Sequence, residues 1–141
     1  YPVLKLAGAL EAGRVREALR RLRRGEWVAL FPEGEMRYPG PLDPLREGAD
    51  FLARKAVGPP PRVALRVVLR GYEHPEAFLW VGRPLPPGGD LGRALGGLLQ
   101  ALDALLAKTH PREVPEGFRE VLRGRRSLEE RVLPLVRLLR P

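Results

Sequence analysis

The chain has 141 residues, no cysteine and a formal net charge of +8 at pH 7. That length suits one domain around a single core, and the missing cysteines exclude disulfides and thiolate metal sites. No uninterrupted apolar run of about 18 residues is present to span a membrane, while the charge favours an anionic partner: a phosphate-bearing substrate, an anionic membrane surface or nucleic acid.

Lysine occurs only at Lys5, Lys55 and Lys108, asparagine is absent and Gln100 is the single glutamine. Such a composition suits a thermophilic or GC-rich source. With no secretory signal legible, the expected location is cytoplasmic, with a peripheral place on the inner face of the cell membrane. The chain opens at Tyr1, inside an apolar segment, and is expected to be the C-terminal portion of something longer.

Tyr1–Leu10 is apolar and reads as a strand or the tail of a buried element. Val15, Ala18, Leu19 and Leu22 form one helical stripe among arginines, stopped by Gly25. Trp27–Phe31 is a continuous apolar run of strand length, expected to be central and buried. It ends abruptly in Phe31-Pro32-Glu33-Gly34, a turn that lifts a carboxylate off the end of a strand. Asp43–Val57 reads as a loop leading into a helix, with Ala49, Leu52, Ala53 and Ala56 on one face. Pro59-Pro-Pro61 then breaks the chain before a second strand, Val63–Leu69, and a third follows at Phe78–Val81. A helix is predicted from about Asp90, its N-cap, to Lys108, with its leucines packed on the sheet rather than lining an acyl-chain groove. In the tail, Ser127-Leu-Glu-Glu130 is a capping box opening a last helix. The apolar, basic end of that helix (Arg131–Arg140) suits docking on its own domain, or an anionic membrane surface. Strands alternating with helices predict an α/β fold with a mixed, mostly parallel sheet flanked by helices. The core is expected over residues 1–110, and a helical tail over 111–141.

Taken together, Gly8 and Arg14 at their spacing, Gly25–Gly34 ending in Phe-Pro-Glu-Gly, Pro44-Leu-Arg-Glu-Gly-Ala49, Val63–Gly71 and Val81-Gly-Arg-Pro-Leu85 are collinear blocks. In that order they resemble the glycerophosphate and lysophosphatidic acid acyltransferase family over about residues 1–85. The resemblance implies a glycerol-phosphate acyltransferase-like fold, incomplete at the N-terminus. It also implies acyl transfer from acyl-CoA or an acyl carrier protein to a hydroxyl of a glycerophosphate-type or other lipid acceptor, with no cofactor. In the family a histidine takes the hydroxyl proton, the oxygen attacks the thioester carbonyl, and an aspartate orients the imidazole.

The resemblance assigns substrate-binding positions to Arg14, Glu33, Gly34 and Arg37. Arginines suit an anion bidentately, a glycine lets backbone approach the ligand, and a carboxylate suits an acceptor hydroxyl. A Glu33–arginine pair that only locks the turn is the plainer alternative. Three departures stand out. Glu35-Met36-Arg37 places the arginine one position later than the family does, Arg66 stands about where the family has proline, and the His-x-x-x-x-Asp block is missing. No catalytic residue is therefore assigned within this chain, and the histidine and aspartate are expected upstream of Tyr1. His74 and His110, each followed by proline, read as loop residues, and their distance in sequence speaks against a metal site. A second expectation is a non-catalytic lipid- or acyl-carrier-binding relative. Nucleic acid is set aside, because no zinc-finger, helix-turn-helix or aromatic RNA-binding pattern is present.

Overall fold

The computed structural model describes residues 10, 13–34, 40–42, 44–71 and 73–124. Most of the expected first strand and all of the last predicted helix lie outside these residues.

Helix α1 (Val15–Arg23) follows the predicted stripe and buries Ala18. Its end is a Schellman motif: Glu26 N donates to Arg21 O at 3.1 Å and Gly25 N to Leu22 O at 3.0 Å. Gly25 takes the required positive φ of 80°. Helix α2 (Glu47–Lys55) buries Ala49 and Leu52. The two helices touch closely at Gly48, where a Cβ would lie 2.9 Å from Val15 Cγ2.

Strands β1 (Arg62–Val68) and β2 (Glu76–Gly82) pair antiparallel, in register from Arg62↔Gly82 to Val68↔Glu76. Helix α3 (Leu91–Lys108) starts where the N-cap was predicted, with Asp90 Oδ1 accepting from Arg93 N at 2.9 Å. Its leucines pack on the sheet, as predicted. Ala64 and Phe78 project from the inner sheet face onto Leu99 and Leu102, with Trp80, Leu98 and Phe118 packed around them. One turn-set further back along α3, Leu91 joins Ala49 and Leu85 in a second cluster, so the same helix also anchors α2.

Residues 111–124 are irregular and close over the sheet. Pro115 is fully buried, and Phe118 meets Phe78 and Trp80 edge-on at centroid distances of 5.9 and 6.0 Å. Arg70, at the end of β1, holds this segment by donating to His110 O at 2.7 Å and Glu113 O at 2.9 Å.

Trp27–Phe31 departs from expectation. It has no ladder partner among the described residues, and Trp27 and Phe31 are 91% and 75% exposed. An apolar run expresses a preference for burial, but a strand exists only where a neighbouring backbone meets its N–H and C=O groups. The outer sheet face is open in the same way: the cross-strand pairs Val63–Val81, Leu65–Leu79 and Val67–Ala77 are all exposed.

The two faces should respond differently to truncation. Leu102→Ala is expected to cost about 2–5 kcal/mol, whereas Leu79→Ala, at a residue 59% exposed, should fall within about 0.5 kcal/mol of wild type. Urea unfolding of both variants measures the difference, and an equally large loss at Leu79 would mean that the outer face is covered in solution.

Candidate functional site

Phe31-Pro-Glu-Gly34 forms a closed turn, with Gly34 N donating to Phe31 O at 3.1 Å. Proline occupies its second position, and among the described residues no non-glycine residue has a positive φ. These two facts select the type I form. Gly34 has φ of 75° and so turns the chain away in the left-handed region.

The turn is fastened to the start of α2. Arg46, the N-cap residue of that helix, donates its backbone N–H to Pro32 O at 3.0 Å. Its side chain lies along Gly34, where a Cβ would sit 3.1 Å from Arg46 Cγ and 3.2 Å from Nε. At Gly48, the second residue of α2, the helix meets Val15 of α1. Arg14, the N-cap residue of α1, is thus carried to the same end of the helix pair as Arg46. An open groove of about 640 Å³ runs beside α1, lined by Gly13, Arg14, Val15, Arg16, Glu17, Arg20 and Phe51, with Glu17 paired to Arg20. Two helix N-termini, which favour negative charge, two arginines and a tight turn therefore occupy one neighbourhood.

Glu33 is half-buried in the turn. Its charge reaches Arg66 on β1, whose guanidinium is held above its ordinary range. The main cause is the hydrogen bond to Asp103; the Asp103 and Glu33 charges add to it, and burial opposes it. The protein thus has a carboxylate among arginines where the neighbouring backbone is tightly turned.

Of the four expected binding residues, Glu33 and Gly34 lie in the turn, Arg14 caps α1, and Arg37 falls outside the described residues. Arg46 was not among them, although the Pro44–Ala49 block that contains it had been recognised. Its alignment with Gly34 is the signal that a sequence does not carry. His74 and His110 are both exposed, and His110 Nδ1 accepts from Arg112 N at 3.3 Å in its own turn. Among the described residues, no three His, Asp or Glu side chains gather as a metal site. None of the described helices is long and apolar enough to cross a membrane.

Over 84 residues, 57% of its length, the chain is 36% identical to N-acylphosphatidylethanolamine synthase from Arabidopsis thaliana. It spans 28% of that protein's own length. No family model matches the chain, and no solved structure does. At a general level the likeness is to a lipid enzyme of the acyl-transferring kind.

Gly34→Ala is expected to cost about 1–2 kcal/mol, because an L side chain resists a left-handed φ and the new methyl meets Arg46. Gly97→Ala serves as the control: it lies in α3, a Cβ there meets nothing within 4 Å, and about 0.5–1 kcal/mol of stabilisation is expected. Urea unfolding of the two variants should move in opposite directions, and equal behaviour would contradict the turn geometry.

Proposed function

We propose that these 141 residues are the acceptor-binding part of a lipid acyltransferase, with the general base supplied from outside them. The observation that supports this most is the fastening of the Phe31–Gly34 turn to Arg46, beside the N-terminus of α1 that carries Arg14. The likeness to a synthase of an N-acylated phospholipid agrees in reaction class.

In this proposal the acceptor's phosphate is held by Arg14 and Arg37, with Arg46 nearby and the α1 and α2 N-termini adding favourable potential. Glu33 accepts a hydrogen bond from the acceptor's hydroxyl or aligns one of these arginines, and Gly34 keeps the turn free of a side chain. The reacting group is then presented to an acyl thioester of coenzyme A or an acyl carrier protein. A histidine outside the chain takes the hydroxyl proton, the oxygen attacks the carbonyl, and the C–S bond breaks to release the thiol. Trp27–Phe31 and the open face of β1–β2 would belong to a larger mixed, mostly parallel sheet flanked by helices, at the cytoplasmic side of a membrane. The relative's name describes an N-acylated product, so an amine-bearing phospholipid belongs among the acceptors tested alongside glycerophosphates.

The test is acyl transfer by the complete product of the source gene, with acyl-CoA or acyl carrier protein and a panel of lysophosphatidate, glycerol 3-phosphate and phosphatidylethanolamine. Arg14→Ala and Glu33→Gln are each expected to lower kcat/KM at least about tenfold, the loss of one charge-assisted contact, with unfolding midpoints unchanged. Near-normal turnover by both variants, or no transfer to any acceptor by the wild type, would contradict the proposal.

A further inference from the structure

Helix α1 has two unlike sides. Its apolar stripe holds the buried Ala18 and meets α2 where Val15 lies against Gly48. Away from that stripe, Arg16, Arg20 and Arg23 follow one another at i, i+4 and i+7, the spacing that aligns side chains along a helix. At about 1.5 Å of rise per residue the row is about 10 Å long. All three residues are exposed. Arg16 and Arg23 have no ion-pair or hydrogen-bond partner among the described residues. Arg20 pairs with Glu17 of the same helix, but its side chain is 67% exposed, where such a pair is worth little and opens readily.

Helix stability does not account for this row. Like charges at i and i+4 repel. Arg20 and Arg23 at least stand in the last turn, which suits the helix dipole, but Arg16 stands in the first turn, where the dipole opposes a cation. Arg16 and Arg20 also line the groove beside α1, so a partner seated on the row lies next to the turn and the two helix N-termini.

Shape and chemistry select the occupant. An exposed helix side is convex and cannot enclose a small anion, which takes a concave site. A lipid surface asks an interfacial helix for an apolar side to insert, and the apolar stripe of α1 is committed to α2. Single-stranded nucleic acid asks for aromatics among the cations, and the row has none. An acidic protein surface, with carboxylates at matching spacing, meets the row charge for charge.

We propose that Arg16, Arg20 and Arg23 dock an acidic protein surface, and that in the reaction proposed above this partner is the acyl carrier protein. The donor thioester then arrives protein-borne beside the groove, and acyl-CoA forgoes these contacts. This rests on the acyltransferase reading.

The test is surface-plasmon measurement of acyl carrier protein binding to the complete product of the source gene, with anionic phosphatidylglycerol vesicles and duplex DNA as alternative probes. Wild type is expected to bind the carrier protein, with Kd weakening at least about tenfold as salt rises from about 0.05 to about 0.3 M. Arg16→Glu and Arg23→Glu, which break no pair among the described residues, should each weaken Kd about five- to tenfold, chiefly by slowing association. Arg119→Glu makes the same change of net charge at an exposed arginine outside the row, and should leave Kd within about twofold. Equal losses in all three variants would reduce the row to a general charge effect and overturn the proposal. Absence of carrier-protein binding overturns it too, as does tighter binding of vesicles or DNA that Arg23→Glu abolishes. Calorimetric titration with glycerol 3-phosphate keeps the two readings apart. Arg23→Glu should leave that binding unchanged, and a wild type that binds the carrier protein but no glycerol 3-phosphate counts against the acceptor site alone.

Discussion

The structure depends on the packing of Leu99 and Leu102 of α3 against Ala64 and Phe78 of the two-stranded sheet. A lone hairpin is at best marginal in water and needs a helix or further strands on its apolar face. Everything placed for chemistry is hung from this contact. β1 carries Arg66, α3 carries Asp103, and the N-terminal part of α3 reaches α2 through Leu91, Leu85 and Ala49. Leu102 is the fully buried leucine of the helix, and its removal would loosen the strand, the Arg66–Asp103 pair and the route to Arg46 together.

The turn is a second constraint, smaller in area and stricter in geometry. Burial can be satisfied by many side chains of the right volume, but a Cβ at Gly34 would come within 3.1 Å of Arg46 Cγ on backbone already in the left-handed region. Gly48 plays the same part between α1 and α2. Two absent side chains thus set how near the helix N-termini come to the carboxylate-bearing turn. Arginine suits such surroundings because its aliphatic stem can lie along backbone while its head makes hydrogen bonds.

Local chemistry made much of this legible. The α1 stripe, the Gly25 stop, the Asp90 cap and both strands were visible because each is fixed by a few neighbouring residues. Trp27–Phe31 was expected to be a buried strand and instead is exposed, with no ladder partner among the described residues, since hydrophobicity says what prefers to be covered and not what lies beside it. The Phe31–Gly34 turn was legible in its proline and glycine, and Glu33 with it. Arg46 and Asp103 were not singled out, because Arg46 meets the Gly34 backbone across 12 positions of sequence and Asp103 meets Arg66 across 37. Arg66 drew notice only through the resemblance, and in the structure it bonds Asp103 and Gly40.

The central claim is that the turn and the N-termini of α1 and α2 form an acceptor-anion site. Its most direct test is NMR chemical-shift mapping of the chain during titration with glycerol 3-phosphate, using glycerol as the uncharged control. The expected result is a saturable set of shifts at Gly13–Val15, Glu33–Gly34 and Arg46–Gly48 that glycerol does not produce. Shifts confined to other surfaces, or identical responses to both compounds, would contradict the account.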